Sequence, residues 1–158
     1  MNTRAFFKTT TLLLFVALII TGLTGCKKED LQIRASVCDT VEISYNEFIK
    51  MCVEPVKDAK TLAAQMVIEN LTKQDIMFEP PFVLEYYTEG KWTNIPLGIH
   101  FEDVLSVLKP GKKSDPLPLF AQSMYDFKAG KYRVNKTIST EQSSYDFSIE
   151  FELVLVLK

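Results

Sequence analysis

The chain has 158 residues, 47% of them hydrophobic, with 18 basic and 20 acidic side chains, one histidine and three cysteines. That length suits one ordinary domain with a substantial core. A formal charge of −2, with no Lys/Arg cluster interleaved with aromatics, excludes a nucleic-acid-binding surface; no C-x-x-C or Cys–His cluster at metal spacing occurs.

The first residues carry Arg4 and Lys8, then an apolar run from Leu12 to Ile20, then small residues up to Cys26. This is the three-part layout of a secretory signal peptide. The run is shorter than the roughly 20 residues a bilayer span needs. Leu23-Thr24-Gly25-Cys26 resembles the lipobox of bacterial lipoproteins. The resemblance implies a signal peptide over residues 1–25, cleavage before Cys26, and lipidation of Cys26 as a membrane anchor. Each buried acyl methylene contributes about 0.8 kcal/mol to such anchoring. Cleavage would remove Arg4, Lys8 and no acid, taking the charge from −2 to −4. After Cys26, the run Lys28-Glu29-Asp30 resembles the surface-export signal of Bacteroidetes-type lipoproteins. The expected location is the outer membrane, facing the periplasm or the cell surface, with this run favouring the surface.

Residues 26–36 read as a tether and 37–158 as the folded domain. Beyond the tether the dominant hydrophobic period is two. Cys38 and Cys52 flank "DTVEISYNEFIKM". A hairpin turning near Tyr45 would set them opposite each other, so an exported chain could join them; two reduced thiols are the alternative. Asp39-Thr40-Val41 resembles the O-glycosylation acceptor of Bacteroidetes-type bacteria, which would place a glycan on Thr40. "TLAAQMVIEN" puts Leu62, Ala64, Met66 and Ile68 on one strand face, with Asn70 beginning a turn. "FVLEYYTEGKWTNIPL" reads as a hairpin turning at Glu89-Gly90, with Phe82, Leu84 and Tyr86 facing in. Tyr86, Tyr87 and Trp92 either pack the core and its rim or form an aromatic platform for sugar or peptide.

In "FEDVLSVLKPGKKSD" the spacing of Phe101, Val104, Leu105 and Leu108 predicts a single helical turn, ended by Pro110-Gly111. "DPLPLFAQ" reads as an edge strand, because Pro116 and Pro118 cannot donate to a ladder. A turn at Ala129-Gly130 leads into a strand with Tyr132 and Val134 inward. The last strand, "YDFSIEFELVL", alternates Tyr145, Phe147, Ile149, Phe151 and Leu153 with Asp146, Ser148, Glu150 and Glu152. Many short strands with regular turns predict an all-β antiparallel sandwich.

In order and spacing, "VIENLTKQDIMF", "LEYYTEGKW", "VLKPG" and "FKAGKYRVNKTI" resemble the bacterial immunoglobulin-like domain of exported lipoproteins. The resemblance covers about residues 50–158, with Ala129 standing where the family often has proline. It implies an immunoglobulin-like β-sandwich, no shared active site and no cofactor. Gly130-Lys131-Tyr132 looks like a structural tyrosine corner.

Catalytic and metal chemistry lack a constellation. His100 has Glu102, Asp103 and Ser106 nearby, but no nucleophile-elbow sequence surrounds a serine. One local acid cluster beside a lone histidine, without a second ligand-rich segment, makes no metal site. Asn70-Leu71-Thr72 and Asn135-Lys136-Thr137 fit the N-glycosylation sequon, a modification uncommon in bacteria. The expected function is therefore a membrane-anchored, non-catalytic binding or structural module that meets envelope protein or glycan. A protease-inhibitor-like module acting through the stretch Gly98–Asp115 is the alternative.

Overall fold

Two antiparallel sheets enclose the core in the computed structural model, which describes residues 29–57 and 59–157. The signal segment, Cys26, Lys27 and Lys28 lie outside the described residues. Residues 30–156 form one compact unit; of the other, 1–29 with 157–158, only Glu29 and Leu157 are described.

The smaller sheet has strand order β2–β3–β4–β9, formed by Val37–Ser44, Glu47–Pro55, Ala63–Leu71 and Leu117–Ala121. The β2–β3 hairpin turns at Tyr45-Asn46, where Asn46 takes a positive φ of 57°. The larger sheet contains β1 (Glu29–Ile33), β5 (Ile76–Phe78), β6 (Val83–Thr88), β7 (Lys91–Asn94), β8 (Ser106–Leu108), β10 (Gly130–Ser139) and β11 (Ser144–Leu157). One edge of β10 pairs with β11 along its whole length; the other is shared by β6 and β5. A short 3-10 turn, Gln122–Met124, follows β9.

Period-two patterning explains the core. Ala64, Met66 and Ile68 from β4 face Phe147, Ile149, Phe151 and Leu153 from the other layer, all buried. Phe120, Phe127, Tyr132 and Phe151 form a run of ring contacts with centroids 4.7 to 6.0 Å apart. Such side chains each contribute about 1.5–3 kcal/mol when fully buried. Asn70 is one of four buried polar residues among those described, with Thr72, Lys136 and Thr140. Its amide donates to the carbonyls of Gln74 and Leu108, and its oxygen accepts from the amide and hydroxyl of Thr72. All four bonding positions are used, so the sequon at Asn70 has no accessible acceptor.

Three expectations change. Residues 29–33, read as part of the tether, form β1, and Ile33 is buried. The helical turn over 101–108 is absent: Ser106–Leu108 form β8, held by the ladder to Phe78–Ile76, while Val104 and Leu105 are exposed. Tertiary pairing overrides the local period. Tyr86 faces in as expected, against Tyr132, but Phe82, just before β6, is only half-buried at the core margin.

That last difference has a covalent cause. Val83 opposes Asn135 and Met77 opposes Ser139, so residues 78–82 bulge opposite 136–138. Pro80 and Pro81 bring no N–H groups to the ladder. The chain leaves the sheet and returns as β6.

Candidate binding face

The outward side of the larger sheet gathers the polar and aromatic groups that alternate with the core residues. Glu85 on β6 lies opposite Arg133 on β10 and Asn94 on β7. Arg133 Nη2 and Nε lie 2.6 and 2.7 Å from Glu85 Oε2, and Asn135 Nδ2 donates to the same oxygen at 2.6 Å. The pair is mostly shielded, with side-chain exposures of 25% for Arg133 and 13% for Glu85. Among the described residues none bonds Glu85 Oε1. No buried side-chain oxygen or nitrogen there lacks a partner, so Oε1 is not fully enclosed.

One hairpin step away, Tyr87 and Trp92 oppose each other across β6 and β7. Their ring centroids are 5.1 Å apart with planes at 60°. The Arg133 guanidinium sits 4.3 Å from the Trp92 ring centroid, a cation–π contact that fixes both groups. The strand alternation separates the three expected platform aromatics. Tyr86 turns to the core side, 4.9 Å from the Tyr132 ring, while Tyr87 and Trp92 stay outside.

Beside this cluster the proline bulge opens a groove of about 810 Å³. Met77, Phe82, Val83 and Leu105 form its apolar wall; Asn135 and Thr137 stand across from them. Lys136 occupies the interrupted ladder. Its ammonium donates to the carbonyls of Glu79 and Pro81, the latter at 2.8 Å. It thus satisfies backbone oxygens that the bulge took out of the ladder. Burial pushes the Lys136 amine down to about 8, against the opposing pull of the Glu79 carboxylate.

The remaining candidates are scattered. Cys38 and Cys52 oppose each other in the β2–β3 ladder with Cα atoms 4.0 Å apart, joined as a disulfide whose Cys38 end is exposed. Thr40 is exposed on the edge strand β2, and its amide donates to Asp39 Oδ1 at 2.8 Å. The Tyr132 hydroxyl accepts from the Lys128 amide at 3.0 Å and donates to the Lys128 carbonyl at 2.8 Å. Gly130 holds a φ of 149° directly against Tyr86. His100 is exposed in the loop before β8, and no metal-binding group of three or more His, Cys, Asp or Glu occurs among the described residues. Glu29 and Asp30 lie in β1. Within Gly98–Asp115, the later part is pinned to β4: Gly111 and Ser114 amides donate to the Asn70 and Ile68 carbonyls, both at 2.8 Å.

Sequence reasoning missed Glu85, Arg133, Asn135 and Lys136. The signal was available in part. Extending the inward series Tyr132, Val134 by two places lands on Lys136, a cation at a core position, and the odd residues between them define the outer row.

The family model described as "Bacterial Ig-like domain" matches residues 45–152. A search of curated proteins finds no match. Among solved structures, the chain is similar to a protein from Archaeoglobus fulgidus at 10% identity and a TM-score of 0.37, covering 80% of this chain and 97% of that one. It is also similar to a crystal structure named for the ApaA protein of Bordetella pertussis, at 15% identity and a TM-score of 0.34, covering 83% of this chain and 95% of that one.

Proposed function

Because the chain belongs to the bacterial Ig-like domain family, we propose that it is an envelope-anchored, non-catalytic binding module. Cys26 carries the lipid, and residues 27–28 link it to β1. The run Lys28-Glu29-Asp30 directs it to the outer surface of the outer membrane, and Thr40 on the exposed edge strand is an acceptor for O-glycosylation. The exposed cross-strand disulfide suits an oxidising compartment.

The observation that carries the binding reading is the state of Glu85. A carboxylate costs free energy to desolvate, and two cationic or amide donors hold this one rigidly through a single oxygen. Its other oxygen is bonded by none of the described residues and lies one hairpin step from the exposed Tyr87. Preorganised groups of this kind bind without a further ordering cost. Fold alone leaves the ligand unspecified, so the reading rests on this face.

Two experiments test it. Cys26→Ser should leave an unprocessed precursor or a soluble product; a variant of mature size that still partitions with membranes contradicts the lipid anchor. Immobilised full-length protein should retain a component of envelope extract, and Glu85→Gln should reduce that retention. An extract that passes wild type without retention contradicts the binding reading.

A further inference from the structure

The geometry points to a neutral carbohydrate chain as the ligand of the Glu85–Tyr87–Trp92–Asn135 face, an inference that rests on the binding reading above. Four observations converge on it. The first is aromatic surface at a polar site. Tyr87 is 42% exposed and Trp92 stands beside it, so a ligand with both apolar faces and polar edges can cover a ring while its periphery stays hydrogen-bonded. A pyranose ring has this character, with C–H groups on its faces and hydroxyls at its rim.

The second is the array of planar polar groups. Glu85 presents an unbonded carboxylate oxygen, Asn135 retains its amide carbonyl, and Asn94 is exposed in the neighbouring register position. Hydroxyls, which donate and accept, match this mixture better than groups that only accept. Arg133 and Asn135 fix the carboxylate in place, so its acceptor direction is set before binding.

The third is charge. The Arg133 cation is already matched by Glu85 at 2.6 Å, and the exposed Lys131 of the same outward row stands opposite Glu152, while Glu150 and Asp146 add further acids on the same side of β11. A sulfated, phosphorylated or uronate polymer would meet cations already opposed by acids, together with repelling carboxylates. A neutral chain meets neither penalty.

The fourth is backbone pairing. Glu85, Arg133 and Asn135 sit on β6 and β10, whose ladders at these positions are filled on both sides. Main-chain strand addition, the usual source of affinity for an extended peptide, is therefore not offered at Glu85, Arg133 and Asn135; among the described strands of this face it is open only along the outer side of β7, which pairs with β6 alone. Recognition at Glu85 and Asn135 has to run through side chains.

Trp92 is the only tryptophan in the chain, so its fluorescence reports this face without labelling. Detergent-solubilised full-length protein would be titrated with hexasaccharides of β-glucose, mannose, xylose and N-acetylglucosamine, and with heparin and polygalacturonate as anionic probes. At least one neutral hexasaccharide should give a saturable change, and Tyr87→Ala and Asn135→Ala should each weaken it by roughly tenfold or more. Both variants should retain a wild-type circular dichroism spectrum; because Tyr87 is exposed, that variant remains a test even where Asn135→Ala loses stability. No response to any neutral hexasaccharide at millimolar concentration, a response to the polyanions alone, or undiminished binding by Tyr87→Ala each overturn the inference. If envelope extract still yields a retained protein in these cases, the binding module stands and only its carbohydrate ligand is lost.

Discussion

At the scale of the residue, Tyr132 and Lys136 show how single polar atoms organise this sandwich. The Tyr132 hydroxyl closes the loop before β10 by bonding both backbone groups of Lys128. Tyr132→Phe keeps the ring among Tyr86, Phe127 and Phe151 and deletes only those bonds, which should cost about 1–3 kcal/mol in urea melts. Gly130→Ala should also destabilise, because its Cβ would stand 2.8 Å from Tyr86 Cε2 at a backbone conformation that side chains avoid. A Tyr132→Phe protein that melts like wild type contradicts the structural role.

Lys136 has a pH signature. Its amine is lowered from 10.5 to about 8 in the folded state. Between these values the unfolded chain holds a proton that the folded chain has released, so stability rises with pH through this window. Above 10 the Tyr132 hydroxyl acts oppositely. Burial raises it from 10.0 to about 12, so the unfolded chain loses a proton that the folded chain keeps, and stability falls. Urea midpoints measured from about pH 8 to 10 should therefore climb in wild type and climb less in Lys136→Met. Equal slopes contradict the burial of that amine.

At the scale of the element, alternation was the legible signal and interruption was the hidden one. β4, β10 and β11 were readable because each places apolar side chains at every second residue. Phe147→Ala and Phe151→Ala should cost roughly 3–5 kcal/mol, whereas Glu150→Ala on the solvent side should stay within about 0.5 kcal/mol. Urea melts that show equal losses on both sides would contradict the alternating burial. β1 escaped the sequence because only Leu31 and Ile33 among its residues are apolar; its pairing with β11 supplies what its own pattern lacks. β8 escaped because Phe101, Val104, Leu105 and Leu108 happen to match a helical period, while the ladder to β5 decides the outcome. The binding face was half legible. Tyr87 and Trp92 are conspicuous in sequence, but Arg133 and Asn135 join Glu85 only across 48 and 50 residues of chain.

The β2–β3 hairpin carries its own prediction. The Cys38–Cys52 bond closes a sequence separation of 14 residues, a loop for which chain entropy gives about 3 kcal/mol. Reduction, or Cys38→Ser with Cys52→Ser, should lower stability by about 2–4 kcal/mol. Amide exchange should accelerate first in β2, which among the described strands has only β3 as a ladder partner. A reduced protein as stable as the oxidised one contradicts the staple.

At the scale of the whole molecule, the sheets divide their tasks. The smaller sheet contains the disulfide. The larger one holds Glu85, Arg133, Tyr87 and Trp92 on its outward side. β1, next to the anchor in sequence, borders β11, whereas β6 and β7 lie across β10 from it. The candidate face is thereby set away from β1, the strand that would follow the proposed lipid anchor.

The central claim is that this face, and no other, meets the ligand. Amide chemical-shift mapping of the full-length protein in micelles, titrated with the envelope fraction it retains, tests that most directly. The account predicts that the largest shifts fall at Glu85, Tyr87, Trp92, Arg133 and Asn135, with the Trp92 indole signal among them. Largest shifts confined to the smaller sheet, or to the loop around His100, would contradict it.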